Sequence, residues 1–191
     1  MTSPHPRPAA FLDRDGTLIV EHGFLADPER VEPLPDAITA VKLLNEWGFL
    51  VIGVSNQSGV ARGFFGEDIV LSVNRQVIKE FARHHARIDA IYYCPHDPQT
   101  GTSDCVCRKP KRGMVDRAMR DFAIDMSRSL VVGDRACDVR LGHTIGTPGI
   151  LVLTGYGRTE QAAWIESDQP DHVAESLYDA VRWWGGKLDL L

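Results

Sequence analysis

The chain has 191 residues, 43% of them hydrophobic, enough to bury one full core; domains commonly run to roughly 100–200 residues, so a single domain is expected. Its formal net charge of −5 argues against nucleic acid or a membrane surface as a partner, and any anionic ligand must be held by a local pocket. No run of about 18 uncharged apolar residues occurs, and "MTSPHPRPAAFLDRDG" lacks the apolar stretch of a signal peptide, so the expectation is a cytoplasmic protein, acting as a monomer.

Residues 1–8 carry three prolines and little to bury, and read as a flexible tail before one domain spanning 9–191. "AAFL" from Ala9 is short, apolar and ends at charged residues, as a buried parallel strand does. "PDAITAVKLLNEWG" predicts a helix, with Pro35 at its start, Asp36 in the first turn, apolar Ile38, Val41, Leu44 and Trp47, and a terminating Gly48. "FLVIGVSN" predicts a second strand, and "EDIVLSVNRQVIKEFARHH" a helix with Ile69, Val73, Val77 and Phe81 on one face. "AIYYC" predicts a third strand, "GMVDRAMRDF" a helix, and "SLVVGD" and "GILVLTG" two further strands. Strands alternating with helices predict an α/β three-layer sandwich around a parallel sheet, whose ligands bind at the carboxyl ends of the strands.

The polar tips of these strands are therefore the places to seek chemistry. In "FLDRDGTL", Asp13 and Asp15 send both carboxylates to one side of an extended backbone, and Gly16 permits a sharp turn. Two adjacent carboxylates repel unless a divalent cation sits between them or one stays protonated; a plain turn with two solvated aspartates is the alternative. The second strand ends in "VSNQSG", where Ser55 can bond an anionic oxygen and Asn56 a ligand hydroxyl. "CRKP" supplies Lys109 before Pro110, and "VVGDRACD" supplies Asp134 and Asp138. Asp138 either backs up the metal site or caps a helix.

The stretch "YYCPHDPQTGTSDCVCRKP" holds Cys94, His96, Cys105 and Cys107. Two close pairs of soft or borderline ligands suit tetrahedral zinc with no open position, a structural site. The alternatives are unliganded thiols beside a surface histidine, or a strained Cys105–Cys107 bridge. Zinc would fix the shape of this loop, residues 94–107, and anchor Arg108 and Lys109 behind it. Arg62, Arg108, Arg112 and Arg135 are either cations for a second phosphate or solvated surface residues.

The aspartate pair, hydroxyl, lysine and distal acidic pair, in this order, resemble the haloacid dehalogenase (HAD) superfamily of phosphotransferases, over Ala9 to about Leu153. Within it, "FLDRDGTL", "SNQSGVARGFF", "YYCPHDP", "CVCRKPKRGM" and "VGDRACD" resemble the D-glycero-D-manno-heptose 1,7-bisphosphate 7-phosphatase family of lipopolysaccharide precursor synthesis, and somewhat less the histidinol phosphate phosphatases. The resemblance implies a Rossmann-like HAD core without a large cap domain, and a small phosphorylated sugar as substrate. It implies Asp13 as nucleophile, Asp15 as general acid and base, and Ser55 and Lys109 as stabilisers of the transferring phosphoryl group. Mg²⁺ would be held by Asp13, the backbone carbonyl of Asp15 and Asp134. Glu21, His22, Gly23 and Phe24, Asn56, Gln57 and Ser58, and Arg108 and Arg135 are its implied substrate contacts. Where the family often has Lys after "GD", this chain has Arg135, and its zinc loop looks shorter than in many members.

Three other classes compete. "GYGRTE" after "GILVLT" is similar to a nucleotide-binding glycine turn but lacks its third glycine. A receiver-like phospho-acceptor domain shares the parallel sheet and acidic metal pocket, but needs no acid two residues after its phosphorylated aspartate. A zinc-dependent nucleic-acid module is disfavoured by the acidic balance.

Overall fold

The computed structural model describes residues 5–100, 104–164 and 169–191 of the chain. Six strands, β1 (Ala9–Leu12), β2 (Leu50–Asn56), β3 (Ala90–Cys94), β4 (Leu130–Gly133), β5 (Gly149–Val152) and β6 (His172–Ala174), form one parallel sheet in the order β3-β2-β1-β4-β5-β6. The helices are α1 (Pro35–Glu46), α2 (Glu67–Arg83), α3 (Gly113–Asp121), α4 (Ala136–Ile145), α5 (Gly157–Ala162) and α6 (Leu177–Lys187). Parallel neighbours cannot be joined by tight turns, so each connection crosses over the sheet and brings helices onto its faces.

Residues on successive strand positions point to opposite faces, and both faces are dry. Ala10, Leu12, Val51 and Val132 pack with Val41 and Leu44 of α1, Val77 and Phe81 of α2, and Val181 of α6. Ala9, Phe11, Ile52 and Val131 pack on the other side with Met114, Val115 and Ala118 of α3 and Leu141 of α4. This double burial is why β1 and β4 read as unbroken apolar runs, and it makes the three-layer sandwich the sequence predicts. Pro35 occupies the first turn of α1 and Gly48 ends it with φ +81°, a left-handed conformation that glycine adopts without strain. The predicted face of α2 is buried at Val73, Val77 and Phe81, while Ile69 sits at the core's edge and its neighbour Val70 goes inside.

The fold extends past the predicted strands. β6 is three residues long, too short to show a period, and α6 is broken in pattern by Gly185 and Gly186. Gly185 nevertheless has a packing reason: a Cβ there would overlap the ring of Trp47. At the other end, order starts before Ala9. Arg7 Nε and Nη2 donate to the carbonyls of Gly48 and Phe49 at 2.8 and 3.0 Å, and Pro8 O accepts from Leu50 N at 2.8 Å. The expected tail is thus tied down from Arg7, and its residues 1–4 lie outside the described residues.

Neither the 13–34 connection nor the described part of 95–112 holds more than a three-residue 3₁₀ turn and isolated bridges, so no large cap domain covers the sheet there. Chain order reverses between β1 and β4, so their carboxyl ends open a crevice, which is where open α/β sheets bind ligands. Asp13 follows β1 and Asp134 follows β4. Among the described residues, no helix is long and apolar enough to cross a membrane.

Phe81 joins α2 to the larger core and has no exposed surface, so Phe81→Ala is expected to cost about 3–5 kcal/mol in urea unfolding followed by circular dichroism. Leu71→Ala, on the exposed side of the same helix, is expected to stay within about 0.5 kcal/mol of wild type.

Candidate active site and metal loop

The turn after β1 is built around Gly16, at φ +80°. A Cβ at this position would overlap Asp134 Oδ2, so glycine here serves both the turn and the close approach of the two acidic segments. Asp13 Oδ1 accepts from Arg14 N at 2.7 Å. Asp15 is gripped by Arg14, whose Nε and Nη2 reach its two carboxylate oxygens at 3.1 Å each. Gln57 Nε2 donates to Asp15 Oδ2 and to Ser55 Oγ, both at 2.8 Å. Arg14 itself is buried and donates through Nη1 to Asn74 Oδ1 of α2 at 2.9 Å. Its forked geometry fixes the direction of the Asp15 carboxylate.

Lys109 is buried, and its ammonium lies 2.8 Å from Asp13 Oδ1 and 2.6 Å from Asp138 Oδ1, while donating to Val54 O at 2.7 Å. Burial pushes the lysine pKa down, but the Asp13 and Asp138 carboxylates outweigh it and the net displacement is upward, so this lysine stays charged. Asn56 fixes the lysine's backbone, accepting from Lys109 N at 3.0 Å and donating to Lys109 O at 3.4 Å. The Asn56 amide, expected to orient a ligand hydroxyl, is therefore engaged in holding Lys109. The two readings of Asp138 merge: it pairs with Lys109, and its Oδ2 accepts from Arg135 N at the start of α4 at 3.1 Å.

Carboxylate oxygens of Asp13, Asp134 and Asp138 lie within 4.8 Å of one another, and all three residues are buried. Asp134 Oδ2 accepts from Tyr156 N at 2.7 Å, whereas its Oδ1 is buried without a partner. Burial, then the Asp13 charge, pushes the Asp134 pKa up to about 8. Burial also takes Asp138 up to about 7, against the pull of Lys109. Three carboxylates facing one lysine leave excess negative charge, and an orphaned carboxylate oxygen aimed into the cluster fits a hard divalent cation such as Mg²⁺. Asp13 and Asp134 could hold it through their side chains, and the Asp15 carbonyl belongs to the same turn as Asp13.

Through Asp13 and Lys109 the cluster opens onto a cavity of about 390 Å³, with Asp134 and Asp138 behind its lining. Asp13, Asp15, Ser55 and Lys109 line it, as do Glu21, Gly23, Phe24, Asn56, Gln57, Ser58, Arg108 and Arg135. His22 is not in the lining: its Nδ1 faces Arg30 Nη2 at 3.4 Å and its Nε2 is buried without a partner. Burial, then the nearby Asp15, raises the Glu21 pKa.

The four arginines separate. Arg112 pairs with Asp116 on the solvent side of α3 and is absent from the cavity lining. Arg62 lines the cavity, but its Nε and Nη2 donate to Asp97 and Gln99. Arg108 is tied by one nitrogen to His96 O at 2.9 Å, and Arg135 lies flat on Tyr156, its Cζ 3.8 Å from the ring centroid. Sequence reasoning missed Arg14, Tyr156 and Glu160. The middle residue of "DRD" carries no motif signal. "GYGRTE", weighed as a nucleotide turn, instead delivers Tyr156 N to Asp134 and Glu160 Oε2 to Ala136 N at 3.1 Å.

In the loop after β3, Cys94 Sγ lies 3.1 Å from Cys107 Sγ, 3.8 Å from Cys105 Sγ and 3.5 Å from His96 Nδ1, which is 3.3 Å from Cys107 Sγ. All four cysteines are free. A tetrahedron with bonds of about 2.3 Å has edges of about 3.8 Å, so three sulfurs and one nitrogen at these separations fit zinc with no open position. Residues 101–103 of this loop lie outside the described residues. Gln57 N donates to Cys94 O and Ala61 N to Pro95 O, so the loop's first strand end also anchors the segment after β2.

Two measurements check these sites. Asp134 and Asp138 have folded pKa values raised above that of an unfolded aspartate. The folded state therefore binds more protons between about pH 4 and pH 8, and metal-free stability falls as pH rises through that window. The rise in Tm on adding Mg²⁺ to magnesium-free, zinc-loaded protein is accordingly expected to be larger at pH 8 than at pH 5.5. Cys107→Ser is expected to lose bound zinc in elemental analysis and to lower Tm by roughly 5–10 °C.

Comparison with known proteins agrees with this geometry. A family model described as HAD-hydrolase-like matches residues 106–180. The D-glycero-D-manno-heptose-1,7-bisphosphate 7-phosphatase of Thermosynechococcus vestitus is 40% identical over 93% of this chain and 95% of its own. The D-glycero-beta-D-manno-heptose-1,7-bisphosphate 7-phosphatase of Vibrio cholerae is 42% identical over 92% of this chain and 93% of its own. The crystal structure of D,D-heptose 1,7-bisphosphate phosphatase from B. bronchiseptica, complexed with magnesium and phosphate, aligns with a TM-score of 0.82 at 28% identity, covering 94% of this chain and 99% of that one. Sharing sequence over nearly its whole length with these enzymes, and their fold, this chain belongs to the heptose-1,7-bisphosphate 7-phosphatase family of HAD-like hydrolases.

Proposed function

We infer that this protein is a Mg²⁺-dependent phosphatase that removes the C7 phosphate of D-glycero-D-manno-heptose 1,7-bisphosphate by way of an aspartyl phosphate, a step in making nucleotide-heptose precursors of lipopolysaccharide. The observation that carries this reading is the buried Asp13–Lys109–Asp138 cluster, with Asp134 beside it, at the β1/β4 crevice. The names of relatives aligned over more than nine-tenths of the chain supply the substrate.

In this reading Asp13 attacks phosphorus in line, the bond from phosphorus to the C7 oxygen breaks, and Asp15 gives that oxygen its proton. Water then attacks the phosphoryl group, passes a proton to Asp15, and frees Asp13 and inorganic phosphate. Lys109 and Ser55 would meet the transferring oxygens as these gather charge, and both are already held, Lys109 by Asn56 and Ser55 by Gln57. Mg²⁺ held by Asp13, Asp134 and the Asp15 carbonyl supplies positive charge that offsets the repulsion between a carboxylate and a dianionic phosphate.

Arg108 and Arg135 remain for the C1 phosphate, and Glu21, Gly23, Phe24, Gln57 and Ser58 for the sugar. His22 faces Arg30 and lies outside the lining. Thiolate ligands for zinc suit the reducing cytoplasm. The net charge of −5 supports a small-molecule substrate over nucleic acid. The clamp on Asp15 supports an enzyme over a receiver-like domain, which has no use for an acid held there.

Phosphate release from the two anomers of heptose 1,7-bisphosphate, fructose bisphosphate and histidinol phosphate tests the assignment. The expected order puts a heptose bisphosphate first by kcat/KM, and fastest turnover of histidinol phosphate would refute the substrate while leaving the chemistry. Asp13→Asn is expected to lose about 10⁴-fold or more in kcat, and Asp15→Asn about 10²–10⁴-fold, each with its fold intact by circular dichroism.

A further inference from the structure

The segment carrying Glu21, Gly23 and Phe24 has neither helix nor strand, yet it forms one wall of the cavity. Phe24 is 45% exposed and Phe64, on the connection between β2 and α2, is 58% exposed. The two rings meet edge to face, with centroids 4.8 Å apart at 76°. Arg62 Cζ stands 5.5 Å from the centroid of the same Phe24 ring. The guanidinium is in turn fixed from behind: Nε donates to Asp97 Oδ2 at 2.5 Å and Nη2 to Gln99 Oε1 at 3.1 Å. Asp97 directly follows His96, a ligand of the metal loop. Gly59 makes the space, since a Cβ there would overlap Phe65 and stand 3.1 Å from Phe24.

An edge-to-face aromatic pair and a cation over a ring are attractive beyond the area they bury. Here both act on one ring, and that ring belongs to a stretch of chain with no ladder of its own. Phe64 does not line the cavity, so a role in contacting substrate does not account for it. We propose that Phe64 is a positioning residue: with Arg62 it clasps Phe24, holding the Glu21–Phe24 wall against the part of the substrate remote from the transferred phosphoryl group, and Asp97 ties this clasp to the metal loop. The kinetic half of this proposal rests on the phosphatase reading, whereas the structural half does not.

The test measures hydrogen exchange of the peptide spanning residues 20–26, without substrate, and steady-state hydrolysis of heptose 1,7-bisphosphate, in wild type, Phe64→Ala, Phe64→Tyr and Asp97→Asn. In Phe64→Ala the peptide is expected to exchange several-fold faster and KM to rise about three- to tenfold, with kcat within about twofold. Phe64→Tyr, which keeps the ring, is expected to restore both, and Asp97→Asn to speed exchange of the same peptide. Unchanged exchange in Phe64→Ala overturns the clasp, and faster exchange with unchanged KM overturns its bearing on substrate. A fall in kcat that Phe64→Tyr does not rescue marks general damage and also overturns it. Unchanged exchange in Asp97→Asn overturns the tie to the metal loop. If wild type fails to hydrolyse the bisphosphate, the substrate reading falls, and the exchange data still decide the clasp.

Discussion

The site depends on one buried ammonium. Lys109 Nζ lies between Asp13 and Asp138 with almost no exposure, a place where an unpaired charge of either sign would be prohibitive. It makes the two aspartates tolerable inside the protein and sets where they point. One lysine cannot balance three carboxylates, however, and Asp134 keeps an unpartnered oxygen. Without a metal, protons relieve the remaining repulsion, which is why the Asp134 and Asp138 pKa values are raised, and a divalent cation would relieve it in their place.

The fold supplies the convergence that sequence distance hides. Asp13, Ser55 and Asp134 end or follow three neighbouring strands, β1, β2 and β4. Lys109 comes from no strand, and its loop needs other means of support. Asn56 grips its peptide on both sides, and the close grouping of Cys94, His96, Cys105 and Cys107 anchors the chain immediately before it. A loop without regular structure can hold a cation accurately when cross-linked by a metal, because the metal removes the loop's freedom to wander. The four soft ligands are thus two peptide bonds from Lys109, by way of Cys107 and Arg108.

What the sequence made legible follows physical scale. Helix and strand identities from Ala9 to Val152 could be read because each element repeats an apolar spacing over several residues, as α2 does at Val73, Val77 and Phe81. The acidic pairs, Lys109 and the four soft ligands could be read because their chemistry is local. Arg14 could not, since its role appears only when α2 docks and presents Asn74. Tyr156 could not either, because it acts on Asp134 with a backbone N–H that any residue but proline has. His22, outside the cavity lining while Glu21, Gly23 and Phe24 are in it, could not be told from these neighbours because a segment without regular structure has no period to read.

Charge placement also bears on selectivity. Four arginines near the strand tips suggest a broadly cationic pocket, but Asp97 and Gln99 engage Arg62, and Asp116 engages Arg112 away from the cavity. Among the described residues, Arg108 and Arg135 line the cavity with no carboxylate nearer than the Glu160 oxygen that pairs with Arg135 at 4.0 Å. Each is held by contacts that leave most of its donors free, Arg108 by a single backbone carbonyl and Arg135 by the face of Tyr156. A guanidinium fixed by stacking keeps its planar fork available for a phosphate, which one fixed by a carboxylate does not. Two such forks, added to a lysine already committed to the reacting centre, favour a substrate with a second anionic group over one with a single phosphate, and they do so without making the protein as a whole attractive to polyanions.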